Sequence, residues 1–147
     1  MLKVLLAAHL LLAIFTIGPL VHAVTTASRG IRHGDGAATA AAARMTKIYG
    51  YASVLVPLVG FALMSQKRRG QQLGDFEDTW IWLSALLWLV ATIIVLGEIV
   101  PTLEKVTEKI GNEESVVALT ARVAAVGGVV ALIFATIVVL MVYKPGR

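Results

Sequence analysis

The sequence contains no cysteine and few charged residues. Without cysteine there can be no disulfide, no thiolate metal site and no cysteine nucleophile. Charged residues make up 15% of the 147 residues, whereas roughly 25% is usual in soluble domains. This deficit predicts an integral membrane protein with one membrane domain, residues 1–147, and no soluble catalytic domain. The net charge of +4 is modest, and the basic residues flank apolar runs, which favours a role in membrane orientation over nucleic acid binding.

Four apolar runs are each long enough to cross a bilayer as a helix, which takes about 20 apolar residues. They cover about residues 4–24, 46–64, 79–100 and 123–143, and no acid or base interrupts the last of them. We therefore predict an all-α membrane protein whose four transmembrane helices form an antiparallel bundle. The first run also resembles a signal peptide that ends near Val21-His22-Ala23. Its apolar stretch is longer than is typical of such a peptide, so we expect an uncleaved helix.

The polar connections predict where the helices begin and end. Asp35 is a suitable N-cap for the second helix, and Pro57 predicts a kink within it. The segment 101–110 (PTLEKVTEKI) keeps a helical spacing of apolar residues. Gly111 is the predicted C-cap of the third helix and Asn112 the predicted N-cap of the fourth. Helices three and four are therefore expected to extend past the bilayer as a hairpin.

Small residues recur at helical spacing in two of the runs and predict packing faces, because small side chains let helix backbones approach closely in lipid. The helix-packing or partner-docking residues predicted in this way are Gly127, Gly128, Ala131 and Ala135 in the fourth helix and Gly50, Ser53 and Gly60 in the second. The alternative is that these residues only reflect the usual Gly and Ala content of transmembrane helices.

Few residues are candidates for ion pairing, proton transfer or metal binding. Glu98 and Arg122 lie at similar distances on either side of Gly111, so a hairpin would bring them to one depth. They are predicted to form an interhelical ion pair, and the alternatives are two charges that reach water separately or a proton relay. His9 and His22 are about 20 Å apart along one helix at 1.5 Å per residue, so they cannot share a metal. No catalytic, cofactor-binding or metal-binding residue is predicted, and the chain is not expected to be an enzyme.

Counting basic residues does not separate the two membrane sides, because each carries six. The compact cluster Lys67, Arg68 and Arg69 and the acids around the 3–4 connection favour N- and C-termini in the cytoplasm of a multi-pass cell-membrane protein. Lys3, Lys144 and Arg147 are counted on the same side as the cluster.

With four spans and the stretch KVLLAAHLLLAIFTIGP in view, the chain resembles small four-helix integral membrane proteins of actinobacteria that form a family of unknown function. His9 and Gly18 match an early His and a Gly-containing end in the first helix of that group. Ile17 departs from the pattern, since a Trp is common there. Proteins of this general kind also occur as accessory subunits of the respiratory supercomplex that joins a cytochrome bcc complex to a cytochrome oxidase. The resemblance implies an accessory role and no catalytic residue.

Two functional classes follow from this interpretation of the sequence. The first is a non-catalytic accessory subunit that bridges or stabilises other integral membrane subunits, with membrane lipid as a further partner and a bound phospholipid as the non-protein group left open. The second is a small dimeric membrane transporter or channel. Small multidrug transporters also have four helices, but they depend on a deep acid in helix one, and helix one has no acid here.

Overall fold

The structure is a computed structural model that describes residues 1–146, apart from the side chain of Arg68. It is all-helical, with 81% of the residues in helices. In the described part of the chain, four helices are each long and apolar enough to cross a membrane: α1 (Leu2–Arg32), α2 (Gly36–Met64), α3 (Thr79–Gly111) and α4 (Val117–Tyr143). Between α2 and α3, the short strands β1 (Lys67–Arg68) and β2 (Gln71–Gln72) pair antiparallel. Arg147, counted above in the orientation argument, lies outside the described residues.

Two of the helices contain a wider π-helical turn just before a proline. In α1 the turn covers Ala13–Ile17 and precedes Pro19, and in α3 it covers Val95–Ile99 and precedes Pro101. Proline has no N–H and its ring crowds the carbonyl four residues earlier, so the regular hydrogen-bond ladder cannot pass through it unchanged. The wider turn accommodates this defect, and each helix continues beyond its proline.

Pro57 interrupts α2, as the sequence predicts. The regular helix stops at Ala52 and resumes at Leu55, so the break lies at residues 53–54. Pro57 has no N–H to donate to the Ser53 carbonyl, and the Val56 N–H donates to that carbonyl instead at 3.0 Å. The interruption of α2 is therefore caused by the N–H that Pro57 lacks.

The connection between α1 and α2 is shorter than the sequence predicts. The first apolar run ends at about residue 24, but α1 continues to Arg32 because Ala27 and Ile31 extend its buried face. Gly34 then turns the chain with a φ of +63°, which costs glycine little. The Asp35 carboxylate accepts a hydrogen bond from the Ala38 N–H at 2.9 Å, which confirms the predicted N-cap.

The connection between α3 and α4 differs from the prediction. Gly111 is the last helical residue of α3, Asn112 occupies its C-cap, and the left-handed residue is Glu113, with a φ of +58°. The prediction that Asn112 caps α4 is wrong, because Val116 occupies that position. The N–H of Glu114 bonds back to the Lys109 carbonyl at 2.9 Å, so residues 112–114 finish α3 instead of starting α4.

The main core lies toward the end of the molecule that carries the 33–35 and 112–116 connections. The second half of α1 packs on both α4 and the first half of α2, and Val100–Gly111 of α3 packs mainly on α2. The core consists of Leu20, Val24, Ala27, Ile31, Ala43, Ala91, Val95, Ile99, Leu103, Val106, Val123, Val130 and Phe134. The opposite end has only a small buried cluster of Met64, Trp80 and Ile81. The helices are thus tightly packed at one end and more open at the other.

Candidate functional site: helix contacts and an open cleft

The closest backbone approach in the predicted packing faces is between α4 and α1 at Gly127. This residue is buried, and a Cβ added to it would overlap the Val24 carbonyl oxygen and lie 3.1 Å from the carbonyl carbon. No other residue type fits there without moving the α1 backbone. Gly127 therefore serves a contact inside the chain.

The small residues predicted as a packing face in α2 also contact other helices of the same chain. A Cβ at Gly50 would lie 2.9 Å from Leu96 Cδ2 of α3. The Ser53 hydroxyl is buried, donates to the Gly50 carbonyl at 2.7 Å and accepts from the Trp88 indole N–H at 3.3 Å. Glycine and serine at these positions thus let α3 approach α2 closely.

Gly60, the third small residue predicted as part of the packing face of α2, faces α1. A Cβ there would lie 3.2 Å from His9 Cε1, and His9 Nδ1 is 3.0 Å from the carbonyl oxygen of Val56. His9 therefore packs beside the Pro57 kink and joins α1 to α2. Among the described residues, no group of three or more His, Asp or Glu side chains is close enough to hold a metal ion.

The remaining predicted residues of α4 point away from the core. A Cβ at Gly128 would meet nothing within 4 Å, Ala131 is half-buried and Ala135 is exposed. At 3.6 residues per turn, these three residues and the half-buried Ala124 lie within about 60° of one another around the helix. We call these four residues the α4 small face. It lies beside the buried side of α4 and has room for a close neighbour.

The structure brings Glu98 and Arg122 together between α3 and α4. Arg122 Nη2 and Nε lie 2.9 and 3.0 Å from the same carboxylate oxygen, Glu98 Oε1. The side chains are 37% and 59% exposed for Glu98 and Arg122, respectively. Glu98 lies in the π-helical turn before Pro101. This arrangement links the two helices near one end of their apolar segments.

Reversing either charge, as in Glu98→Arg or Arg122→Glu, should lower the thermal unfolding midpoint in detergent slightly, and combining the two changes should restore it. The effect should be at most about 1 kcal/mol, because partly exposed ion pairs contribute little. Glu104→Arg, at an exposed position of α3, gives the baseline for reversing a charge outside the pair. A double variant no more stable than the single variants would contradict the pairing.

The sequence does not predict the cleft at the open end of the molecule. The second half of α1 packs on α4, but its first half, Leu2–Leu12, packs on α2. Between that first half and the last turns of α4 lies a mostly apolar cleft of about 560 Å³, whose lining also includes residues of α2 and α3. No Asp or Glu lines it among the described residues, and Lys144 lies at its edge. The sequence signal for an irregular α1 is the Gly18-Pro19 pair, because proline interrupts the regular hydrogen bonds of a helix.

A second, smaller groove lies where α1 meets α2. It has a volume of about 390 Å³, and its polar lining includes His22, Arg29, His33 and Asp35. Its hydrogen bonds are local: His33 Nδ1 lies 2.8 Å from the Arg29 carbonyl oxygen, and Asp35 caps α2. These contacts stabilise the turn.

These arrangements supply close helix contacts, one ion pair, a histidine bound to a backbone carbonyl and an apolar cleft with a cation at its edge. Compared with known protein families, with curated proteins and with solved structures, the chain matches none.

Proposed function

We propose that this chain is a non-catalytic accessory subunit that bridges or stabilises other integral membrane subunits of a larger assembly. The observation that carries the proposal is the α4 small face. Gly127 and Gly50 are used inside the chain, whereas Gly128 has open space where a side chain would be. In lipid, helices associate through close packing at such small residues. The small face therefore suits the helix of a neighbouring subunit.

The proposed architecture is an antiparallel bundle in the cell membrane with both termini in the cytoplasm. Lys3, Lys67, Arg69 and Lys144 then lie on the cytoplasmic side. The compact cluster that contains Lys67 and Arg69 favours this orientation, because the count of basic residues is equal on the two sides. The opposite end extends past the bilayer. In α3 it has a buried face, formed by Leu103 and Val106, and exposed charges, as expected for a segment in water.

In this proposal the extended part is not a hairpin of α3 and α4 alone. Val100–Gly111 packs mainly on the first half of α2, and α4 begins only at Val117. The extension therefore combines the end of α3 with the parts of α1 and α2 that flank the 33–35 turn. Such a three-helix end could contact the water-exposed parts of neighbouring subunits.

The first assembly to test is the respiratory supercomplex of cytochrome bcc and cytochrome oxidase, which the sequence resemblance suggests. The test is a pull-down through a C-terminal tag in mild detergent, with mass spectrometry and a visible absorption spectrum of the eluate. We expect stoichiometric integral membrane subunits, and haem bands if the partners are cytochromes. A lone, colourless monomer or dimer would contradict the accessory role.

A small dimeric transporter or channel is the second candidate, and the cleft is the observation that favours it. Against it, the described lining contains no acid that could couple a cation or proton. The same pull-down separates the two candidates, because a transporter would be recovered without stoichiometric partners.

A further inference from the structure

The cleft has the dimensions of a site for a long, narrow molecule. Its lining on α1 runs from Leu6 to Gly18, which corresponds to about 18 Å along the helix at 1.5 Å per residue. Opposite lie residues of the last turns of α4, from Phe134 to Val142. Apart from His9, whose Nδ1 lies 3.0 Å from the Val56 carbonyl oxygen, both walls are apolar over this length, and the long direction of the cleft is that of the helices. A hydrocarbon chain lying along the membrane normal fits this shape.

One end of the cleft is polar and cationic. The Lys144 ammonium lies over the Trp80 ring, 5.4 Å from its centroid, and both residues line the cleft. Trp80 and Ser84 are buried, and neither Trp80 Nε1 nor Ser84 Oγ has a hydrogen-bond partner in the described part of the chain. Buried donors are nearly always paired, and an unpaired one is costly in a hydrocarbon environment. This end therefore provides donors and a positive charge for an occupant to satisfy.

We infer that the cleft binds a phospholipid with an anionic headgroup, one acyl chain of which lies between α1 and α4. The phosphate and the anionic headgroup lie at Lys144, and small adjustments of Ser84 and Trp80 let them donate to the ester oxygens. No acid among the described lining residues neutralises Lys144 within the cleft, so an uncharged occupant would leave that charge without compensation, and a zwitterionic lipid would bring a second cation close to it. The inference does not depend on the accessory role, because the site lies entirely within this chain.

Tryptophan quenching in vesicles tests this site directly. Trp80 and Trp88 line the cleft, whereas Trp82 is 54% exposed on the outer surface, so the Trp82→Phe protein reports mainly on the cleft. This protein is placed in phosphatidylcholine vesicles to which brominated phosphatidylglycerol or brominated phosphatidylcholine is added. We expect the anionic lipid to reach half-maximal quenching at about one-fifth the concentration, the effect of one lysine near a lipid headgroup. Equal quenching by the two lipids would overturn the anionic preference.

Matched variants locate the lipid. Lys144→Gln should abolish the preference, whereas Lys3→Gln, at an exposed lysine outside the cleft, should keep it. Ala13→Phe fills the cleft and should remove most of the quenching by either lipid, whereas Ala7→Phe, on the exposed side of the same helix, should not. Circular dichroism first establishes that each variant keeps its helix content.

The inference is overturned if Lys144→Gln and Lys3→Gln behave alike, or if Ala7→Phe and a folded Ala13→Phe quench equally. It is also overturned if a neutral quinone displaces the brominated anionic lipid from Trp80 and Trp88 as effectively as unbrominated phosphatidylglycerol does. Cross-linking between copies at the cleft together with absent lipid quenching would assign the space to a second copy of the chain. Because Lys144 lies beyond the end of α4, Lys144→Gln leaves the helical walls of the cleft unchanged and keeps the test valid even if Ala13→Phe does not fold.

Discussion

Gly127→Leu is expected to destabilise the isolated chain by about 3 kcal/mol, at the upper end of the usual cost of overpacking an interior. A Cβ at this position overlaps the Val24 carbonyl oxygen. The obstacle is backbone, which cannot rotate away as a side chain can. The remaining leucine atoms would push α1 and α4 apart over the length of the core.

The measurement is unfolding of the purified chain by a denaturing detergent added to mild-detergent micelles, followed by circular dichroism. Gly128→Leu is the matched control, because it makes the same change one residue further along α4, where a Cβ meets nothing within 4 Å. Gly128→Leu should leave the unfolding midpoint nearly unchanged. If both variants were equally unstable, the loss would come from removing glycine rather than from the Val24 contact.

This pair of glycines illustrates what the sequence could predict and what it could not. The four apolar runs are long and continuous, so the helices were predictable from hydrophobicity alone. Which of two adjacent glycines contacts a neighbour depends on how α4 is rotated against α1, and a run that is apolar on all sides carries no signal of that rotation. The sequence therefore placed Gly127 and Gly128 in one set, and the structure separates them.

Helix caps and helix breaks were predictable where a single side chain determines them. Asp35 caps α2 because its carboxylate can reach an unpaired N–H, and Pro57 breaks α2 because it lacks a donor. Asn112 is an equally suitable N-cap residue. In the structure, however, it takes part in the hydrogen bonds that complete α3 and so does not cap α4. Competition between two helix ends for the same residue cannot be resolved from propensity.

The candidate site was harder to predict than the fold. The Glu98–Arg122 pair followed from counting residues on both sides of a turn, and the structure brings the two side chains together. The cleft has no sequence motif, because it is a space between helices that diverge. Trp80 and Trp82 lie two residues apart at the start of α3, yet Trp80 is buried beneath Lys144, whereas Trp82 is exposed.

Gly128→Leu combined with Ala135→Leu is expected to reduce recovery of the partner subunits in the pull-down at least about tenfold, which corresponds to 1.4 kcal/mol of binding free energy. Both residues lie on the α4 small face, where large side chains would hold a neighbouring helix away from the backbone. Because these positions are open in the isolated chain, its insertion and unfolding midpoint should stay unchanged. This outcome separates the variant from Gly127→Leu, which should lose stability first.

The control is Ala125→Leu, which adds one leucine at an exposed position about 60° around the helix from Gly128. Its partner recovery should equal that of the unmodified chain. Equal recovery for the double variant and the control would mean that the α4 small face contacts only lipid, and the accessory role would then need a different docking surface. Reduced recovery for the double variant alone, with the isolated chain as stable as before, would place the partner helix against α4 beside its contact with α1.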